Sequence, residues 1–147
     1  MSDWIADANI LLRADAPDHA DYPIVSAALL RLRERGDRIL LTPQSLCETW
    51  GVFTRPLERN GFGLSNEETQ RRVRDILRLY PFIADPPTLF GEWFALVTLF
   101  GVRGVQVHDA RLVAACLAHR VTQILTLNVD DFRRYAGFVT AVHPANV

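Results

Sequence analysis

Oxygen-bearing side chains stand beside apolar segments at separate places in this chain. They are Asp7, Glu48, Asp109, Thr126, Asn128 and Asp131. Asp7 follows the apolar residues 4–6, Asp109 opens the apolar residues 110–117, and Thr126 and Asn128 follow an apolar strand. Carboxylate and amide oxygens are the ligands that hard divalent cations prefer. The pattern therefore suits a metal ion held by oxygen ligands, provided that the fold brings these residues together.

Asp109 is the strongest of these candidates. On a helical projection it shares a stripe with Leu112, Val113, Cys116 and Leu117, which is the face that packs inward. A carboxylate on such a face is costly unless it is paired, hydrogen-bonded or bound to a cation. An aspartate in the first turn of a helix is also favoured by the helix dipole. Spacing alone leaves both interpretations open.

The other candidates have structural explanations too. Asp7 follows a strand and precedes a helix, where aspartate is a common N-cap. Glu48 lies opposite the apolar residues of its helix, so it is either a surface glutamate or part of a cleft. Thr126 and Asn128 suit a polar strand exit, and Asp131 suits the N-cap of a short turn. None of these residues is decisive singly.

Apolar patterning supplies the elements that must position these residues. Strands are predicted at residues 4–6, 39–41, 123–126 and 138–142, with a further short candidate at 82–84. Helices are predicted at residues 8–13, 23–35, 43–55, 88–100 and from about 107, and a capping box at 65–68 opens another. The core face of the third helix is assigned to Leu46, Cys47, Trp50 and Phe53. Trp93 and Phe94 are assigned to the core rather than to base-stacking surfaces.

Strands that alternate with helices predict an α/β fold with a central, mostly parallel sheet covered on both sides. No repeat or second domain is evident, so residues 1–147 are predicted to form one domain. Ligands of such sheets bind beyond the carboxyl ends of the strands. Asp7 and Asn128 both lie just past such ends, which places them in one crevice.

Composition narrows the class of protein. The chain has 49% apolar and 22% charged residues, and no apolar run approaches the ~20 residues of a membrane span. The N-terminus lacks the basic and apolar pattern of a secretory signal, and two cysteines make no disulfide framework, so a cytoplasmic location without membrane contact is predicted. A net charge of −1 argues against a globally basic nucleic-acid binder. All 16 basic residues are Arg, which codon bias or phosphate contacts would both explain.

Four motifs together resemble the PIN-domain ribonucleases, in particular the VapC-type toxins of bacterial toxin–antitoxin pairs. Residues 5–11, IADANIL, look like the first acidic motif of that family, and Glu48 matches its second acid. Residues 107–114, VHDARLVA, look like the third, and residues 125–128, LTLN, with Asp131-Phe132, like the fourth. The resemblance covers nearly the whole chain. It implies a PIN-like three-layer α/β/α sandwich.

The resemblance also implies a function, that of an endoribonuclease dependent on Mg²⁺ or Mn²⁺. Asp7 and Asp109 would be metal ligands, Glu48 a ligand or water-activating base, Thr126 and Asn128 orienting residues, and Asp131 a further acid of the site. The family often has an acid where this chain has Asn128, whose amide supplies an oxygen but no charge. RNA, a cognate antitoxin and a second copy of the chain would be the partners.

Two other functions compete with this one. A non-catalytic PIN-like module that binds RNA or protein would tolerate Asn128 at the fourth acidic position. A different Mg²⁺-dependent α/β enzyme is disfavoured. A haloacid-type phosphatase would carry an aspartate at the position of Asn9, and a phosphoacceptor domain would carry a lysine, which this chain lacks.

Overall fold

A computed structural model describes residues 1–147 and contains one parallel sheet of four short strands. The strands are β1 (Asp3–Ala6), β2 (Arg38–Leu40), β3 (Gln123–Leu125) and β4 (Thr140–Val142), in the order β2-β1-β3-β4. Ile5 pairs with Leu40 on one side and with Ile124 on the other. All three pairings are parallel. The carboxyl ends of the strands therefore lie along one edge of the sheet.

Six α-helices cover the sheet. They are α1 (Ala8–Ala14), α2 (Tyr22–Glu34), α3 (Pro43–Thr54), α4 (Asn66–Leu79), α5 (Leu89–Phe100) and α6 (Val107–His119). Alternate residues of β1 point to opposite faces. Trp4 and Ala6 join an apolar cluster with α1 to α4, whereas Ile5 joins a second cluster with α5 and α6. The predicted three-layer α/β/α fold is confirmed.

The helix starts follow the predicted capping signals. Thr42 caps α3 by accepting a hydrogen bond from the Ser45 backbone N–H, and Pro43 occupies the first helical position. Ser65 caps α4 in the same way by accepting from the Glu68 N–H. Because these signals are local, the sequence located both helix starts correctly.

On the predicted core face of α3, Phe53 is buried and Leu46 is partly buried against the same apolar cluster, but the assignments of Cys47 and Trp50 are wrong. Cys47 is exposed and Trp50 is 36% exposed. The buried residues of α3 are Gln44, Ser45, Thr49 and Phe53. The helix packs its first turns against the polar end of β1, where the Ser45 hydroxyl donates to the Ala6 carbonyl at 2.9 Å. Hydrogen bonding, rather than hydrophobicity, orients this part of the helix.

Two further predictions need correction. Phe94 is 56% exposed because α5 buries Leu89 and Leu96 instead, on the side that faces α6. Residues 82–84 form no strand, since only a single bridge joins Leu41 to Phe82. No helix of the structure is both long enough and apolar enough to cross a membrane.

Candidate active site

Asp7 stands at the carboxyl end of the central strand β1 and caps α1. Its Oδ1 accepts a hydrogen bond from the Ala8 N–H at 2.8 Å. Its Oδ2 accepts from the Thr126 hydroxyl at 2.8 Å and from Asn9 Nδ2 at 3.2 Å. Burial raises the pKa of Asp7, although the bonds from Thr126 and Ala8 act in the opposite direction. The carboxylate therefore has one fixed orientation at the edge of the sheet.

Thr126 and Asn9 tie the ends of β3 and β1 together. Thr126 is fully buried, and its Oγ1 accepts from Asn9 Nδ2 at 3.2 Å and from the Asn128 N–H at 3.1 Å. Asn9 Oδ1 accepts from the Leu127 N–H at 3.1 Å. Asn9 was not among the predicted site residues. The sequence signal that could have identified Asn9 is its place in the first helical turn after an aspartate at the end of a strand.

Asp109 lies in the first turn of α6 and is half-buried. Burial, together with the charges of Asp131, Asp7 and Glu48, raises the pKa of Asp109 to about 6, while the charge of His108 acts in the opposite direction. No hydrogen bond to the Asp109 carboxylate contributes to this balance. The charges of the other three acids thus act on Asp109, and neither a hydrogen bond nor a salt bridge to its carboxylate offsets them.

Glu48 projects from α3, and a bridge to α6 orients its side chain. Gln44 Nε2 donates to Glu48 Oε1 at 3.0 Å and to the His108 carbonyl at 2.7 Å. Arg111 Nη1 donates to Gln44 Oε1 at 3.2 Å, and Arg111 Nη2 donates to Asp85 at 2.7 Å. Periodicity alone left Glu48 between surface and cleft. The sequence suggested Gln44 only as a possible lining residue of that cleft and did not single out Arg111, because contacts between α3 and α6 leave no mark in local sequence.

Asp131 lies in a short 3₁₀ helix, Val129–Tyr135, and its charge raises the pKa of both Asp7 and Asp109. The predicted N-cap role is wrong, since Asn128 occupies the cap and Asp131 lies in the first turn. Asp131 also lines a polar cavity of ≈ 540 Å³. The neighbouring Asp130 forms a salt bridge with Arg133, so its charge is already compensated.

The structure brings Asp7, Glu48, Asp109 and Asp131 to one side of the molecule. None of its salt bridges involves any of the four. Unpaired carboxylates near one another favour a cation between them. No three acidic, His or Cys side chains are arranged to hold a metal ion as they stand. The donor set fits a hard cation chemically, with Asp7 and Asp109 as the most enclosed donors.

Comparison with known proteins supports the fold. No family model matches the chain, and no curated protein sequence matches it. Among solved structures, VapBC2 from Rickettsia felis, bound to a DNA fragment from its promoter, matches with a TM-score of 0.69 and 16% identity over 96% of this chain and 98% of the other. FitAcB from Neisseria gonorrhoeae matches with a TM-score of 0.68 and 16% identity, over 98% and 99% of the two chains.

A third solved structure is VapC20 of Mycobacterium tuberculosis, a sarcin-ricin loop cleaving toxin. It matches with a TM-score of 0.65 and 14% identity, over 92% of this chain and 96% of the other. These neighbours are PIN-domain toxins of the VapC and FitB type. The chain therefore shares the PIN-domain fold of these toxins over nearly its whole length.

Proposed function

We propose that this protein is a metal-dependent endoribonuclease and the toxin of a toxin–antitoxin pair, acting in the cytoplasm. One observation carries the proposal: none of the four carboxylates forms a salt bridge, and the charges of Glu48 and Asp131 act on both Asp7 and Asp109. The fold around them is shared with toxins, one of which is described as cleaving the sarcin-ricin loop. An acidic edge of this kind matches the demands of phosphodiester hydrolysis with Mg²⁺ or Mn²⁺.

Each acid of the site receives a role in this proposal. Asp7 and Asp109 would hold the cation, because they are the two half-buried acids, whereas Glu48 and Asp131 are exposed. Glu48 acts as a ligand or as the base that activates water. The hydrogen bond that Gln44 donates to Glu48 holds this side chain in place for either role. Asp131 adds charge to the same site.

Two polar residues orient the acids. The Thr126 hydroxyl fixes Asp7 Oδ2, and Asn128 stands on the same turn, where its N–H holds the Thr126 oxygen. Asn128 supplies an uncharged amide oxygen at the position where the family often has an acid. Thr126 and Asn128 thus set the direction in which Asp7 presents its free lone pairs.

Hydrolysis needs an activated water and compensation of the charge that develops on the phosphate. When bound, a divalent cation supplies both, because it lowers the pKa of a water and offsets the phosphate charge. Asp7 contributes a carboxylate held in one orientation by three hydrogen bonds. Glu48, an exposed acid, would take up a proton of the attacking water. The new P–O bond forms as the bond from phosphorus to the leaving ribose oxygen breaks, and that oxygen takes up a proton from solvent.

Two protein partners belong to the proposal. Solved neighbours include a toxin–antitoxin complex from Klebsiella pneumoniae, which supports an antitoxin as partner of this chain. A basic side chain of that antitoxin would face the four acids. The family resemblance also implies a homodimer, which light scattering of the purified protein checks.

Cleavage of RNA by the purified protein tests the proposal directly. We expect cleavage with Mg²⁺ or Mn²⁺ and none with EDTA. Asp7→Asn and Asp109→Asn should abolish cleavage while the circular dichroism spectrum is unchanged. Asp75→Asn is the matched control, because Asp75 is an exposed aspartate of α4 paired with Arg78. Full activity of either site variant would contradict the assignment.

A non-catalytic module is the second candidate, and the lack of a preformed three-ligand cluster favours it. Such a module would bind RNA or a protein equally well with EDTA and would not cleave RNA with any divalent ion. The same assay therefore separates the two functions.

A further inference from the structure

We propose that a pocket beside the acids holds one nucleobase of the RNA, an inference that rests on the proposed function. Leu89, Phe90, Trp93 and Arg111 line this pocket, which we call the base pocket. Its volume is ≈ 280 Å³. Pockets for small ligands span roughly 300–1,000 Å³. The base pocket is slightly smaller than these, so it suits a single planar base rather than a larger ligand.

The walls of the base pocket are aromatic and open to solvent. Phe90 is 68% exposed, and its ring lies 5.8 Å from the ring of Trp93 at an angle of 41°. Exposed aromatic rings stack on bases in many proteins that bind single-stranded RNA, and stacking does not depend on the identity of the base. The ring of Phe94 stacks on Phe90 at 5.8 Å and 26°, yet Phe90 stays 68% exposed, whereas Leu89 of the same pocket is 8% exposed.

The base pocket is attached rigidly to the acidic site. Trp93 Nε1 donates to the carbonyl of Val107 at 2.9 Å, and Val107 begins the helix whose first turn contains Asp109. Arg111 lies on the next turn and is linked through Gln44 to Glu48. Trp93 is thus fixed to the helix that carries Asp109, and Arg111 is hydrogen-bonded to Gln44, which in turn contacts Glu48. A nucleotide in this pocket would lie next to the phosphate that the acids act on.

Unused hydrogen-bond donors favour RNA as the occupant over an apolar protein segment. Four unpaired acids repel phosphates, so binding energy has to come from contacts to the uncharged bases and from nearby hydrogen-bond donors. The charge of Arg111 is paired with Asp85, but Gln44 and Asp85 take only two of its five N–H groups, which leaves donors for a base carbonyl or a phosphate oxygen. An aliphatic partner would leave these donors unpaired.

Binding of labelled homo-oligoribonucleotides in EDTA tests the inference, with an abasic ribose-phosphate chain of equal length as reference. The wild type should bind at least one of oligo(A), oligo(C), oligo(G) and oligo(U) more tightly than the abasic chain. Phe90→Ala should weaken that binding roughly 5- to 100-fold, as one lost base stack does. Binding of the abasic chain should not change. Leu99→Ala is the matched control, because Leu99 is also 68% exposed on α5 but does not line the pocket.

Each remaining outcome decides something different. If Phe90→Ala cleaves RNA and binds the oligonucleotides as the wild type does, the base pocket is not a nucleobase site, and the ribonuclease function stands. If Phe90→Ala and Leu99→Ala both convert a dimer to a monomer while base preference persists, a second copy of the chain covers the pocket, and the inference is overturned. A wild type that neither binds nor cleaves RNA contradicts the proposed function itself.

Discussion

Asp109 carries an electrostatic cost that no hydrogen bond to its carboxylate offsets. Its carboxylate is half-buried, accepts no hydrogen bond that lowers its pKa, and lies in the field of Asp7, Glu48 and Asp131. Such a group destabilises the metal-free fold, and a bound cation would offset its charge. Its position is therefore better explained by ligand binding than by stability.

The first prediction is that Asp109→Asn stabilises the metal-free protein. The pKa of Asp109 rises from 3.8 to about 6 on folding, so the ionised side chain destabilises the folded state, and the cost grows as the pH rises from 4 to 6. A shift of this size corresponds to at most ~3 kcal/mol at ~1.4 kcal/mol per pH unit. Solvent screening of a half-exposed group reduces it to about 1–2 kcal/mol.

Urea unfolding in EDTA measures this effect. The free energy of unfolding of Asp109→Asn should exceed that of the wild type at pH 8, and the difference should largely disappear at pH 4. A variant that is less stable than the wild type at pH 8 would show that Asp109 has a structural role instead.

The second prediction concerns Thr126, whose buried hydroxyl donates to Asp7 and accepts from Asn9 and Asn128. Thr126→Val keeps the shape but leaves these groups unpaired, which should lower the free energy of unfolding by about 1–3 kcal/mol. Cleavage should fall as well, because Asp7 loses its fixed orientation. Thr126→Ser, which retains the hydroxyl, should restore both stability and cleavage. A loss in Thr126→Ser without a loss in Thr126→Val would mean that the methyl group matters rather than the hydrogen bonds.

At the scale of elements, α3 shows how a helix can be oriented by polar contacts. Its apolar residues suggested one inward face, but Gln44, Ser45 and Thr49 are buried instead. Gln44 joins α3 to α6 through the His108 carbonyl and Arg111. The helix that carries Glu48 is thereby locked to the helix that carries Asp109.

The third prediction is that Gln44→Leu slows RNA cleavage more than it weakens RNA binding. Leucine fills the buried volume but releases Glu48 and the His108 carbonyl. Misplacement of a catalytic group should lower kcat roughly 10- to 100-fold, with KM changed little. Gln70→Leu, on the exposed surface of α4, is the control for loss of an amide. A rise in KM at constant kcat would assign Gln44 to substrate binding.

At the scale of the molecule, the apolar clusters and the acidic edge are separate. Two clusters of buried residues, one on each face of the sheet, hold the layers together without any contribution from the four acids. The apolar layers therefore stabilise the fold. The fold can tolerate charge repulsion among the acids until they bind a cation.

The fourth prediction follows from this separation: EDTA leaves the protein folded, and Mg²⁺ raises its Tm. At ten times its Kd the ion adds ~1.4 kcal/mol, which should raise Tm by roughly 2–5 °C for a chain of this size. The double variant Asp7→Asn/Asp109→Asn should show no such rise in differential scanning fluorimetry. An equal rise in the double variant would indicate that Mg²⁺ binds elsewhere.

The sequence by itself determined the elements and most of the residues at the sheet edge. Helix starts at Thr42 and Ser65, and the strand-end position of Asp7, depend on interactions between near neighbours in the chain, so they can be read locally. The motifs around Asp7 and Asp109 predicted the PIN-like fold, and the structure confirms it. The roles of these residues in catalysis and metal binding stay predictions.

Only the tertiary structure decided how the acids are surrounded. Asn9, Gln44 and Arg111 reach their partners across 117, 64 and 67 residues of chain, and no local pattern encodes a contact over such a separation. The exposure of Phe90 and Phe94 was likewise set by which side of α5 packs on α6, since an apolar helix offers several faces of similar hydrophobicity. Local chemistry therefore placed the acids at the sheet edge, and long-range packing determined their hydrogen-bond partners and the pocket beside them.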